Sequence, residues 1–279
     1  MLSGRVVRTA VVAASLGLLS GPLCEAAQVV IRIGGTGSAL PGIRLVAEAY
    51  KRQNPGTDIL VLPSLGSSGG IKALAAGELD MALSARPLRA EEASKGLAAI
   101  AYAWTPFVFA AGPECPLDAL TTSQVVDLYQ GATTQWPDGR RIRLVLRPPA
   151  DSDNDALRGL SPEIGAAVDA ALARPGMTIG VTDQEAAELL ERLPGAFGAT
   201  TLALVRSEGR RVKVLALDGI VPSVKALASG RYPYHKVLYL VTGSHPSDEV
   251  RRFRKFLTSP TARGILTEHG HLAFAAIHP

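Results

Sequence analysis

The sequence predicts an α/β fold of two doubly wound lobes joined by two crossovers. Three observations point to it. After residue 27, β-branched runs alternate with amphipathic segments across glycine-rich turns, a β-loop-α pattern that calls for parallel strands with right-handed connections. The 279 residues are long for one domain and comfortable for two. The composition, 47% hydrophobic and 19% charged, is that of a packed globular chain.

Residues 1–27 read as an address. Arg5 and Arg8 form a basic start, Val11 to Leu19 an apolar stretch, and Gly21-Pro22 a break. Cys24-Glu25-Ala26 then offers small residues for cleavage near Ala26 or Ala27. That is the layout of a secretory signal peptide, so the mature chain is expected to be exported. The charge of +4 then falls to +3, and Cys115 remains as the one cysteine. A disulfide within the mature chain is therefore excluded, and its core has to hold the fold. The next most apolar stretch, Leu97 to Gly112, is short for a spanning helix and is interrupted at Thr105-Pro106. It reads as two buried strands or a crossover.

The first lobe is expected at residues 28–103. Val29 to Ile33 is a strand by its branched side chains, and Gly34-Gly35-Thr36-Gly37-Ser38 turns the chain. A helix follows with Ile43, Val46 and Tyr50 on one face, stopping at Asn54-Pro55-Gly56. Asp58 to Leu62 is a second strand, Gly66-Ser67-Ser68-Gly69-Gly70 a second turn, Ile71 to Leu79 a second helix and Asp80 to Leu83 a third strand.

The second lobe is expected at 104–235. It holds a helix from Ser123 to Tyr129 that ends at Gly131, a strand from Ile142 to Leu146, and helix from Asn154 to Ala173 broken at Gly159 or Pro162. Thr182-Asp183-Gln184-Glu185 reads as a helix start with Thr182 and Glu185 capping reciprocally. Val212 to Leu217 is a strand. Residues 236–279 return to the first lobe through a strand at Val237–Val241 and closing helices from Val250. Two lobes joined by two crossovers enclose a cleft.

Composition excludes several functions. The small net charge is no footprint for nucleic acid. Two cysteines exclude a Cys-rich metal module, and the mature chain carries neither of the common glycine-rich nucleotide fingerprints. No cofactor or metal is expected. His269, His271 and His278 read as a surface turn in the closing segment. The basic runs Arg251-Arg252 with Arg254-Lys255, and Arg206 with Arg210, Arg211 and Lys213, read as solvated faces.

The two glycine- and serine-rich turns each lead from a strand into a helix. Glycine lets a ligand approach the backbone, and a helix N-terminus offers free N–H groups. Hydroxyls add donors, so such turns suit an anion without a metal. Open α/β sheets bind ligands at this edge. Thr36, Gly37, Ser38, Ser67, Ser68 and Gly69 are the candidates.

These turns, followed by Asp80-Met81-Ala82-Leu83-Ser84-Ala85-Arg86-Pro87-Leu88, resemble the opening of the periplasmic phosphate-binding proteins of ABC transporters. Leu128-Tyr129-Gln130-Gly131 with Trp136, Pro194-Gly195-Ala196-Phe197-Gly198 and Gly230-Arg231-Tyr232-Pro233 continue the resemblance in order. It implies a type II solute-binding fold, a monomer that is not an enzyme, closing on phosphate or a similar oxyanion and delivering it to a membrane permease. It adds Ser84, Arg86, Arg147, Asp151, Ser152, Asp153 and Asn154 as ligand-binding candidates.

The chain departs from the family in two places. Ala85 stands where the family carries an Asp that accepts the ligand's proton, and Arg86 follows it. Arg86 either adds a cation for an oxyanion or pairs with Glu91 or Glu92. The family's second-lobe loop reads Arg, Asp, then Ser-Gly-Thr at a helix start; here Arg147 carries over and is followed by Pro148-Pro149-Ala150-Asp151-Ser152-Asp153-Asn154-Asp155, without the Ser-Gly-Thr. Asp151 and Asp153 would repel a dianion unless they orient Arg147 or accept a proton, and either can cap the next helix. Two other readings stand beside this one. An exported sensor would pass occupancy to a membrane kinase. A serine hydrolase would use the G-x-S-x-G at Gly66–Gly70, with Ser68 as nucleophile and one of the downstream histidines as base.

Overall fold

The computed structural model describes residues 29–278; the expected leader lies outside them. The chain opens with β1 (Val29–Gly35), α1 (Leu40–Gln53), β2 (Thr57–Ser64), α2 (Gly66–Ala75), β3 (Met81–Ser84) and the short α3 (Ala90–Ala93). Strand β1 lies between β2 and β3 and runs parallel to both. Helix α1 turns Ile43, Val46, Ala47 and Tyr50 into the core and stops at Asn54, ahead of Pro55.

Helix α2 starts five residues before the expected Ile71. The Gly-Ser-Ser-Gly-Gly turn is itself the first turn of the helix, because glycines let that turn lie against β1. A Cβ on Gly70 would come within 2.5 Å of the Gly35 Cα. No apolar periodicity marks such a turn, so the sequence pattern places the helix start too late.

A single strand, β4 (Leu97–Ala111), follows where two strands or a crossover were expected. Beyond it come β5 (Ala119–Leu120), α4 (Thr122–Gln130), β6 (Arg143–Leu146), α5 (Ser152–Arg158), α6 (Pro162–Ala173), β7 (Thr178–Ile179), α7 (Asp183–Arg192), β8 (Ala196–Thr201) and α8 (Leu202–Glu208). The expected strand at Val212–Leu217 is two short ones, β9 (Lys213–Val214) on β4 and β10 (Ala216–Leu217) on β5. Between them Leu215 turns inward and is buried. Then come α9 (Val224–Ala228), β11 (His235–Gly243), α10 (Asp248–Phe256), α11 (Pro260–Glu268) and β12 (Leu272–His278).

Ten of the strands form one mixed sheet in the order β2-β1-β3-β11-β4-β8-β6-β7, with β9 and β12 also on β4, while β5 and β10 pair separately. The parallel arrangement expected from the β-loop-α pattern holds at both ends, where β6 is parallel to β7 and β8 as β1 is to its neighbours. The middle is antiparallel. There β4 and β11 run side by side, with Lys236 opposite Thr105 and Val237 opposite Trp104. The first part of β4 pairs with β11 and β12 and the last part with β8 and β9, so one strand serves both halves.

Each half has its own core. One gathers Ile31, Ile33, Ile43, Tyr50, Met81, Leu240 and Phe253. The other gathers Phe109, Leu128, Tyr129, Trp136, Phe197 and Tyr232. The closing segment is not the surface turn expected. His271 is fully buried, and a Cβ on Gly42 of α1 would meet its ring at 2.5 Å. Burial holds the imidazole well below its ordinary pKa, at about 4. The basic runs are largely ion-paired. Arg251 pairs with Asp248, Arg252 with Glu249, and Arg210 and Arg211 share Glu191.

Because Gly70 packs on backbone that has no room to retreat, Gly70→Ala should lower stability by about 1–3 kcal/mol. Urea unfolding checks this; an unchanged midpoint and slope would mean that α2 does not seat tightly on β1.

Candidate functional site

The site forms where the edge of β1 and α1 meets the loops after β6 and β7. Strand β6 ends at Leu146 and delivers Arg147, whose side chain is 5% exposed, into the boundary between the halves. One guanidinium nitrogen donates to the Gly180 carbonyl at 2.7 Å and the other to Asp151 Oδ2 at 2.8 Å. Asp183 and Asp153 each approach within 3.7 Å, and Arg147 Nε makes no hydrogen bond.

The loop after Arg147 does two jobs. Asp151 caps α5 by accepting from the Asp153 N–H at 2.9 Å, and it orients Arg147 at the same time. Asn154 donates to the Pro148 carbonyl at 2.7 Å and so ties the loop to its own helix. Ser152 accepts at 3.1 Å from Lys236, and Lys236 also donates to Asp153. Lys236 comes from β11, where the two halves cross; its ammonium lies 5.8 Å from the centre of the Phe107 ring.

Asp183 is the first residue of α7, and its carboxylate reaches the other half of the molecule. One oxygen accepts from the Gly37 N–H at 2.9 Å and the other from Ser38 Oγ at 2.6 Å. Gln184 adds a bond from Nε2 to the Gly37 carbonyl at 3.1 Å. The approach requires glycine, since a Cβ at position 37 would lie 2.7 Å from the Asp183 Cβ. Thr182 caps α7 by accepting from the Glu185 N–H. The expected reciprocal bond is displaced by one residue: the Glu185 carboxylate accepts from the Val181 N–H instead.

Arg147, Lys236, Asp153 and Asp183 therefore share one buried space, with the half-buried Asp151 at its edge. Burial opposes charge on Lys236, Asp153 and Asp183, and their attraction to the opposite charges works against it. For Lys236, burial works to lower the pKa, but Asp153, Asp183 and Asp151 outweigh it and the net direction is up. For Asp183, burial works upward, but Arg147 and Lys236 together with the Ser38 and Gly37 donors bring it below the usual carboxylate range. For Asp153 burial prevails over Lys236 and pushes the carboxyl up to about 6.

The second turn faces the space beside this cluster. Ser68 and Gly69, in the first turn of α2, line a cavity of about 340 Å³ together with Ser67, Arg86, Asp151, Ser152 and Thr182. Arg86 resolves toward its pairing: it holds Glu92 through two bonds of 2.7 and 2.8 Å and also donates to Ser68 Oγ at 2.9 Å. The Arg86 hydrogen bonds hold the Glu92 carboxyl down at about 2. Ser67 Oγ accepts from the Ala85 N–H, and Ser84 Oγ is closed in a turn with the Arg86 backbone. Thr36 is buried, and its N–H donates to the Leu83 carbonyl.

The structure thus brings Gly37, Ser38, Arg147, Asp151, Ser152 and Asp153 together. It sets Ser67, Ser68, Gly69 and Arg86 on the neighbouring cavity, and gives Ser84 and Asn154 their bonds within their own loops. Asp183 and Lys236 were missed. Their signals were an acid at a helix start whose cap was already supplied, and a lone lysine in an otherwise apolar strand. The nucleophile reading fails on geometry: among the described residues the hydrogen-bond partner of Ser68 is Arg86, a cation and not a base.

A family model described as a PBP superfamily domain matches residues 24–261. The phosphate-binding protein PstS of Borreliella burgdorferi is 23% identical over 251 residues, covering 87% of this chain and 89% of that protein. The protein of the same name from Bacillus subtilis is 23% identical over 257 residues, covering 89% and 82%. Both are named as binding proteins and not as enzymes. A crystal structure from Clostridium perfringens, described as a phosphate ABC transporter substrate-binding protein with bound phosphate, superposes with a TM-score of 0.76 at 22% identity. It covers 88% of this chain and 99% of that one. The fold is therefore the type II solute-binding fold that the motifs implied. No helix among the described residues is long and apolar enough to cross a membrane.

The raised Asp153 pKa fixes a sign. A carboxyl that binds its proton more tightly folded than unfolded stabilises the fold below its unfolded pKa, and that stability is lost as pH rises through about 6. Relative to Asp153→Asn, the unmodified protein should gain roughly 2 kcal/mol between pH 7.5 and 4.5. Parallel urea titrations of the two proteins check it; a pH-independent difference would place Asp153 in its ordinary range.

Proposed function

We propose that this chain, which belongs to the PBP superfamily, is an exported binding protein that captures phosphate or a similar oxyanion between its lobes and delivers it to an ABC-type permease. The lobes proposed are residues 28–103 with 236–279, and 104–235. The observation that carries the reading is the way Gly37 N–H, Ser38 Oγ and Arg147 gather around the two oxygens of one carboxylate. Donors so arranged fit any oxyanion with two adjacent oxygens. Ser68, Gly69 and Arg86 at the mouth of the adjoining cavity extend the same chemistry. The names of the relatives favour phosphate, and the leader-like residues 1–27 favour export to the periplasm.

A melting-temperature screen against phosphate, sulfate, molybdate, tungstate and small organic acids tests it. A ligand at 100 times its Kd stabilises the native state by about 2.7 kcal/mol, so one tetrahedral oxyanion should raise Tm by several degrees. Ser68→Ala should weaken that ligand roughly 10- to 100-fold by calorimetry, the worth of one hydrogen bond to a charged group. If none of the oxyanions moves Tm, the reading fails. Secreted protein should begin at or next to Ala27 by N-terminal sequencing; an intact Met1 on the exported chain would remove the leader from the account.

A further inference from the structure

The donors that suit an external oxyanion already hold Asp183. We propose that Asp183 is a tethered carboxylate that competes with external anions for Gly37, Ser38 and Arg147, so that the cleft rests closed on its own side chain and an anion binds by displacing it. The proposal rests on the oxyanion reading of this cleft and names the residue that sets its affinity.

Three observations carry it. First, the two Asp183 oxygens take separate first-half donors, at 2.9 and 2.6 Å, and the residues joined lie about 145 positions apart in the chain. Second, the carboxylate has no local duty. Thr182 caps α7, so Asp183 is free to serve the opposite half, and the missing side chain of Gly37 gives it room. Third, the charges leave no place for an added anion beside it. Arg147 and Lys236 already face Asp151, Asp153 and Asp183. A further anion would enter a site with more carboxylates than cations. If Asp183 swings away, the two cations face two carboxylates, and an incoming monoanion restores the original charge count.

A tethered competitor acts at high effective concentration, and the apparent affinity falls by the fraction of molecules in which the seat is free. It also reverses the usual sequence of events in a two-lobed binder. The lobes are joined before the ligand arrives, and they have to part to exchange one anion for another.

The test uses the mature protein, stripped of anions by unfolding and refolding in phosphate-free buffer, and the Asp183→Ala variant. Phosphate titration calorimetry and small-angle scattering are run on both. The proposal expects Asp183→Ala to bind phosphate at least tenfold more tightly, and to have a larger radius of gyration than the unmodified protein before phosphate is added. Weaker binding by Asp183→Ala would make Asp183 a group that holds the ligand and would overturn the proposal, as would identical scattering of the two anion-free proteins. A larger radius in the variant, with no binding of phosphate by either protein, supports the latch and tells instead against the oxyanion reading. Ser38→Ala, which removes the receiving hydroxyl and leaves α7 untouched, gives the same scattering test should Asp183→Ala fail to fold.

Discussion

Everything at the interlobe boundary depends on keeping two cations charged where water does not reach. Arg147 and Lys236 are both almost completely buried. Isolated charges in such a place are untenable, and removing one partner of a buried pair is far more damaging than the pair's net worth suggests. The chain answers with three aspartates from two separate segments. Asp151 and Asp153 come from the loop that follows β6, and Asp183 from the start of α7. Two of the aspartates are anchored by something besides a cation, Asp151 by its helix cap and Asp183 by the opposite half of the molecule, while Asp153 is held by Lys236, which also donates to Ser152. The cluster is thus a joint as well as a site.

The frame around the cluster explains why it sits there. Strand β4 serves both halves of the sheet, and β11 runs beside it through the crossing. Lys236 stands at that crossing, so a change in the angle between the halves moves its ammonium relative to Asp153. Tyr232 ties the same place down by donating to the Phe107 carbonyl at 2.8 Å. The charged groups of the second half are therefore coupled to the strands about which the halves would turn. The first half contributes neutral donors, Gly37 N–H and Ser38 Oγ, at the N-terminal approach to α1. Such donors favour any nearby anion, whether it arrives from solution or from α7.

Much of the fold was legible in the sequence, for identifiable reasons. Branched runs and punctuating glycines marked β1, α1 and β2, and Gly131, in the left-handed region, stops α4 where the pattern ends. Many residues that carry the family resemblance prove to be core: Tyr129, Trp136 and Phe197 pack together, and Trp136 donates to the Gly195 carbonyl. They identify the fold without identifying the ligand. What was not legible depended on contacts between distant segments. The first turn of α2 has no apolar signature because glycine makes the contact. Strand β4 resembles two strands because its two ends bury against different halves. Asp183 could not be assigned to the site, because a capping segment looks the same whether its acid faces solvent or the turn between β1 and α1. Arg147 and the loop aspartates were found through the family resemblance, which carries over Arg147 and points to the loop that follows it.

Ala85 offers no carboxylate on the first half, while the second half places Asp153 and Asp183 against its cations. The most direct measurement of the central claim, that a carboxylate of the second half is held by donors of the first, is a double-mutant cycle on Ser38 and Asp183 by urea unfolding. A hydrogen bond to a charged group is worth about 1.5–3 kcal/mol, so Ser38→Ala, Asp183→Ala and the double variant should give a coupling energy of at least about 1 kcal/mol. Additivity within about 0.3 kcal/mol would mean that the two halves are not joined through this pair in solution, and would contradict the account.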